Sequence, residues 1–193
     1  MNLHFGNIIL RAIEEKDAAL LKLLMNSSEV EAMTVGWNPP VSDFAQAEWI
    51  KNFRCSDKQI RWMMELNDGT TIGMIVLSDI DWKNRTAFVH YKINPFEKNR
   101  QRGDTKNALY AILKYAFDEL GLHRVEGSIL DYNIFSRKLI LSLGFVKEGT
   151  YRKKTFKNGT WHDEDAFGLL NEEFIRYNDN EAPWQKGMQR KVN

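Results

Sequence analysis

Residues 99–120 read NRQRGDTKNALYAILKYAFDEL, and the reading of this stretch decides the fold. A basic loop carrying Arg100, Arg102, Gly103 and Asp104 leads at Thr105 into a segment whose apolar residues recur every three or four positions: Ala108, Leu109, Ile112, Leu113, Ala116, Phe117 and Leu120. Such spacing lines one face of an α-helix. The first turn of a helix leaves backbone N–H groups unpaired and carries a partial positive charge, so beside arginines it makes a seat for phosphate or pyrophosphate. A phosphorylated ligand is the first functional expectation.

Upstream of the loop, residues 86–93 alternate, with Ala87, Val89, Tyr91 and Ile93 on one face and Phe88, His90 and Lys92 on the other, and Pro95 ends the strand. Before that, Asn67-Asp68-Gly69 joins strands expected at 60–66 and 70–77 into a hairpin. A strand at 8–13 and a helix at 14–25 open the chain. Gly36, Pro39 and Pro40 keep 34–41, TVGWNPPV, irregular, and Asp43 and Gln46 stand at capping-box spacing before a helix at 45–53. Downstream, Gly121 closes the long helix, 124–130 is a strand, and 133–143 is a short helix stopped by Gly144. Strands at 145–156 and 160–170 flank Asn158-Gly159, a pair suited to a tight hairpin. Beyond about 176 the periodicity is lost. The expectation is one α/β (α+β) domain over 1–175, with a mostly antiparallel mixed sheet flanked by helices, and a tail over 176–193 that Trp184 could dock.

Composition narrows the function. Lys plus Arg number 27 against 26 Asp plus Glu, so a net charge of +1 gives no global attraction to nucleic acid or anionic membrane, and any basic site is local. The single cysteine, Cys55, cannot close an intrachain disulfide, and no Cys/His cluster has zinc spacing. No metal is expected, and a reducing cytoplasm is the expected compartment. The first residues lack a basic start followed by a long apolar core, and no apolar run approaches membrane-spanning length. A soluble, unprocessed chain is therefore expected. A homodimer is compatible with these data.

The order of elements and several motifs resemble the GNAT acetyltransferases, in particular the branch related to ribosomal-protein N-terminal acetyltransferases. The resemblance spans roughly 8–174. Arg100-Gln101-Arg102-Gly103-Asp104-Thr105 matches the first two fixed positions of the family's acetyl-CoA loop, Arg/Gln-x-x-Gly-x-Gly/Ala, with Thr105 at the third. Asn133-x-x-Ser136-Arg137-x-Leu139 followed by Leu143-Gly144-Phe145 is similar to the family's Asn-x-x-Ser/Ala helix and Gly-Phe exit. Glu148-Gly149-x-x-Arg152, the Asn158-Gly159 hairpin and Trp161-His162-Asp163 are similar to the C-terminal signature of the branch.

The resemblance implies direct acetyl transfer from acetyl-CoA to an amine, either a protein N-terminal α-amine or a small-molecule amine. It implies that the amides of Arg102 to Thr105 hold the pyrophosphate, that Asn133, Ser136 and Arg137 lie along the pantetheine arm, and that a backbone N–H among Tyr91, Lys92 and Ile93 steadies the carbonyl oxygen. Many relatives carry a Glu on this strand and a Tyr after the second motif, where this chain has Phe88 and Ile140. His90 shares a face with Phe88 and, with an unperturbed pKa of about 6.5, suits a general base; a packed strand histidine is the other reading. Ser136 could protonate the leaving thiolate or pack the cosubstrate. Glu65, Asp79 and Asp81 could act through a water, and Trp37 either touches substrate or anchors the core. An α-amine of pKa about 7.7–8.0 is roughly a tenth unprotonated at pH 7, which favours weakly basic acceptors where no obvious base is present. Transfer of another acyl group, or a non-catalytic CoA-binding regulatory module, would use the same residues.

Overall fold

Alternation along the strands sorts the side chains onto two faces of one sheet, and each face is covered by its own helices. The computed structural model describes residues 1–178 and 182–185. The strands are β1 (Leu3–Phe5), β2 (Ile8–Arg11), β3 (Ile60–Leu66), β4 (Thr71–Asp81), β5 (Thr86–Ile93), β6 (Arg124–Leu130), β7 (Val146–Lys157) and β8 (Thr160–Leu170). They form an 8-stranded sheet in the order β1-β2-β3-β4-β5-β6-β8-β7. All neighbours are antiparallel except β5 and β6.

Helices α1 (Ala18–Asn26), α2 (Ser28–Met33) and α3 (Asp43–Asn52) cover one face, where Leu21, Leu24 and Val30 pack on Met63, Met74 and Val76. Helices α4 (Asp104–Lys114) and α5 (Ile134–Leu141) cover the other, larger core. The expected helical stripe of α4 is buried, from Ala108 and Leu109 to Ile112 and Leu113. After Lys114 the helix widens into a π segment, Tyr115–Glu119, in which the Leu120 N–H donates to the Tyr115 carbonyl at 3.0 Å.

Two local details depart from the sequence reading, and a third concerns the tail that Trp184 could dock. Strand β1 and helix α2 are additional; with 3 and 6 residues they are too short to show a period. Ser42, rather than Asp43, caps α3: its Oγ accepts from the Ala45 N–H at 3.1 Å, while Asp43 accepts from Lys22 Nζ at 2.7 Å. The described part of the tail packs against the domain. Trp184 Nε1 donates to Asn107 Oδ1 at 2.9 Å and its ring meets Tyr110, 5.9 Å between centroids. The rest of that tail, 179–181 and 186–193, lies outside the described residues.

The parallel pairing of β5 with β6 is short. It covers Thr86↔Arg124, Ala87↔Val125 and Phe88↔Glu126, after which β5 stays with β4 and β6 with β8. The two strands therefore part in the middle of the sheet. Residues 89–93 of β5 thereby present backbone edges that β6 does not cover.

Candidate active site

The parting of β5 and β6 opens a cavity of about 720 Å³, lined on β5 by Val89 to Ile93 and on β6 by Gly127 to Leu130. This is the size of a small-molecule site. Because neighbouring residues on β5 face opposite ways, the cavity reaches both sides of the sheet. His90 and Lys92 stand opposite Val76 and Met74, on the face under α1 and α2, whereas Tyr91 and Ile93 pack with the core under α4 and α5.

On the first face, His90 Nε2 lies 2.9 Å from Ser78 Oγ, and the Ser78 hydroxyl donates to Asp79 Oδ2 at 2.8 Å. A bulge between Ser78 and Asp81, with Asp79 at φ 50°, turns this carboxylate back toward its own neighbour. Since the Ser78 proton goes to Asp79, Ser78 accepts from Nε2–H, which leaves Nδ1 of a neutral His90 as the basic nitrogen. Burial pulls the His90 pKa below its ordinary value; Asp79 opposes that shift and Arg61 adds to it. Of the other carboxylates considered, Glu65 holds Arg11 at 2.5 Å and Asp81 caps the following turn through the Asn84 N–H at 2.9 Å, so neither lines the cavity.

On the second face, the Tyr91 hydroxyl donates to Ser136 Oγ at 2.8 Å, and both residues line the cavity. Burial raises the Tyr91 pKa, with the Ser136 hydrogen bond acting against it, so the phenol stays protonated at neutral pH. The Ser136 hydroxyl proton is then left to point to a third group. Asn133 also lines the cavity but both ends of its amide are engaged: Oδ1 accepts from the Ser136 N–H at 3.1 Å and Nδ2 donates to the Met33 carbonyl at 2.8 Å. It caps α5 and ties it to α2 across the opening. Arg137 does not line the cavity. Its guanidinium reaches the buried Asp165 at 2.9 Å and the Asp131 carbonyl at 2.7 Å, holding α5 to β8.

At the end of β5 the loop of Arg100, Gln101, Arg102 and Gly103 runs into α4. Arg100 lines the cavity, whereas Gln101, Arg102, Gly103, Asp104 and Thr105 do not. Gly103 sits at φ 107°, ψ −17° as the residue before the helix, a conformation that favours glycine. Asp104 is fully buried and shapes the loop: Oδ2 accepts from the Gln101 N–H at 2.6 Å and Oδ1 from Asn7 Nδ2 at 2.8 Å. Thr105 is buried as well, at 6% exposure.

The 34–41 loop and α2 close the first face. Trp37 lines the cavity and is 75% exposed, so it does not anchor the core. The anchor comes from the hairpin: buried Lys157 donates through Nζ to the Gly36 carbonyl at 2.7 Å, the Glu31 carbonyl at 3.0 Å and the Glu31 carboxylate. Asn158 and Gly159, at φ 49° and 78°, make the expected turn beside it. Ser78, the Tyr91 side chain, Arg61 and Lys157 escaped the sequence reading. Only Ser78-Asp79, a polar pair interrupting an apolar strand, leaves a visible signal.

Among the described residues no group of three or more His, Cys, Asp or Glu is placed to hold a metal ion, and no helix is long and apolar enough to cross a membrane. The model of the Acetyltransferase (GNAT) domain matches residues 7–146. The chain is 31% identical to the SPbeta prophage-derived uncharacterized N-acetyltransferase YokL of Bacillus subtilis over 87% of this chain and 92% of that one. It is 30% identical to the putative ribosomal N-acetyltransferase YdaF of the same organism, over 87% and 93%. In structure it is similar to the spermidine N-acetyltransferase of Vibrio cholerae solved with CoA and spermine, with a TM-score of 0.80, 23% identity and coverage of 88% of this chain and 99% of that one. A parted pair of strands beside a glycine-capped helix, in a chain with these relatives, places it in the acetyltransferase (GNAT) family, as an N-acetyltransferase that moves an acetyl group from acetyl-CoA to an amine.

Proposed function

We propose that the amine enters from the face of α1 and α2 and the thiol leaves on the face of α4 and α5, with His90 as the base and Ser136, backed by Tyr91, as the acid. The observation that carries this reading is the opposite facing of His90 and Tyr91 on one strand at the place where β5 and β6 separate. Acetyl-CoA supplies the acetyl group. The Arg100 guanidinium and the first turn of α4, entered through Gly103, suit its pyrophosphate; the covered, largely apolar cleft suits its pantetheine arm.

His90 takes one proton from the ammonium form of the acceptor onto Nδ1, while Ser78 and Asp79 hold the ring by its other nitrogen. The freed amine attacks the thioester carbon. A backbone N–H in the uncovered part of β5, among Tyr91, Lys92 and Ile93, donates to the oxygen that gains charge. As the C–S bond breaks, Ser136 gives its proton to the sulfur and takes one from Tyr91. The second amine proton passes to solvent water as the amide forms, and Tyr91 regains a proton from solvent and His90 returns its own there before the next turnover. Mass-spectrometric screening of amines with acetyl-CoA tests the reading: a product heavier by one acetyl group is expected, and CoA binding with no acetylated amine from any class would contradict it.

A further inference from the structure

The cavity lining carries three fixed cations, Arg61, Lys92 and Arg100, against one carboxylate, Glu29. Arg100 belongs with the loop before α4. Arg61 and Lys92 do not: Arg61 pairs with Val76, Val76 with His90, and Lys92 lies two residues beyond His90, so all of them share the face away from α4. Neither Arg61 nor Lys92 forms an ion pair among the described residues. Gln59 Oε1 accepts from Arg61 Nε at 3.1 Å and Nη2 at 2.9 Å, which orients the guanidinium and leaves Nη1 without a hydrogen bond there. Among the described residues Lys92 Nζ donates only to Met25 Sδ, at 3.4 Å.

Two half-buried cations on one face of a cavity, neither in ion-pair contact with a carboxylate, are costly unless a ligand supplies an anion. Burial lowers the pKa of Arg61 and of Lys92; in Lys92 the nearby Lys157 and Arg61 add to the shift, and Glu31, itself held by Lys157, opposes it. We infer that the amine acceptor is a small molecule that carries an anionic oxygen group beside its amine, held by Arg61 and Lys92 while the amine faces His90. Strand geometry puts the Cα atoms of Lys92 and Arg61 about 7 and 10 Å from that of His90, so the anion and the amine belong to one compact molecule of the amino-acid kind. Glu29, whose carboxylate accepts from Ser27 Oγ at 2.8 Å, offers the ammonium a partner at the same opening. A polycation with no anionic group would meet Arg61 and Lys92 as like charges.

This inference rests on the proposed function, and the experiment separates the two. Initial rates with acetyl-CoA are measured for glycine against glycinamide, aspartate α-amide against asparagine α-amide, and phosphoethanolamine against ethanolamine, with spermidine alongside. At least one anionic member is expected to exceed its partner in kcat/KM by about tenfold or more, the scale of one charge-assisted hydrogen bond. Which pair responds tells carboxylate from phosphate. In Arg61→Gln and Lys92→Gln that ratio falls toward one. Equal rates within every pair, or a preference for spermidine over every anionic member, would overturn the inference while leaving the transferase reading in place. If no amine is acetylated, the transferase reading fails, and calorimetric titration of the same compounds into the CoA complex decides the inference: binding of an anionic member that Arg61→Gln abolishes upholds it, and binding of none overturns it.

Discussion

The hydroxyl of Tyr91 on β5 donates to Ser136 Oγ on α5 at 2.8 Å, bridging the open part of the sheet on the side opposite His90. Removing one end of this link leaves the other residue in the cavity without its partner. Tyr91→Phe and Ser136→Ala are each expected to lower kcat by about 100-fold, the lower end of the range for general acid catalysis, with the Kd for CoA little changed. Stopped-flow thiol release and calorimetry separate the two effects. A change in CoA affinity with intact kcat would return Ser136 to cosubstrate packing.

Gly103 enters α4 at φ 107°. Gly103→Val forces a branched side chain into that backbone conformation and into the approach to the helix N–H groups, at a cost of about 1–3 kcal/mol in local strain. Affinity for acetyl-CoA is expected to fall at least tenfold by calorimetry, with the far-ultraviolet circular dichroism spectrum unchanged.

Lys157 is 4% exposed and holds two carbonyls and the carboxylate of Glu31 on the acceptor side of the cavity. Lys157→Met leaves the Glu31 carboxylate and the Gly36 carbonyl without their donor. Because the Glu31 carboxylate is one-third exposed and regains water, a loss of stability of about 1–3 kcal/mol in urea unfolding is expected. The KM for the amine should rise more than the KM for acetyl-CoA, because the loop of Gly36 and Trp37 loosens while the α4 side stays intact.

Arg11 and Asp17 form a buried pair, with the two terminal guanidinium nitrogens each 2.8 Å from a carboxylate oxygen and Nε on Glu65, that fixes the entry into α1 against β2. Burial alone would raise the Asp17 pKa, but the hydrogen bonds from Arg11 and the Glu14 N–H outweigh it and hold the carboxyl below its ordinary value. A lowered carboxyl pKa contributes stability above the unfolded value of about 3.9 and loses it as pH falls through the folded one. Asp17→Asn leaves Arg11 with Glu65 as its remaining counter-charge and should therefore be less stable than wild type by about 1–3 kcal/mol at pH 7. That difference should shrink as the pH falls below about 4, as read from urea unfolding across pH.

Much of the fold was legible because its elements are long and periodic. Strands β3, β5, β6 and β8 fall where alternation and the Asn67-Asp68-Gly69 and Asn158-Gly159 turns put them, and the stripe from Ala108 to Leu113 is the buried face of α4. Helix α2 was not, since its 6 residues fill less than two turns and its cap, Ser27, is a residue common in loops. Part of the cavity lining was legible where it is local in sequence, as with His90, Arg100 and Ser136. It was not where residues meet across the fold: Lys157 reaches Glu31 over 126 positions, and Asn133 joins α2 to α5 over 100. The Ser78–Asp79 turn that holds His90 depends on a bulge, which alternation cannot reveal.

The most direct test of the account is the pH dependence of kcat/KM for wild type and His90→Gln with one α-amine acceptor. Burial holds the His90 pKa below 6.5, so wild-type activity is expected to stay on its plateau down to that range and then fall. Without the base only the neutral amine can react. The acid limb of His90→Gln should then begin at the acceptor's own pKa of about 7.7–8.0. The deficit relative to wild type should deepen about tenfold per pH unit between that value and the His90 limb, on a loss within the 10²–10⁴ range of general base catalysis. Superimposable profiles for the two proteins would contradict the assignment of His90.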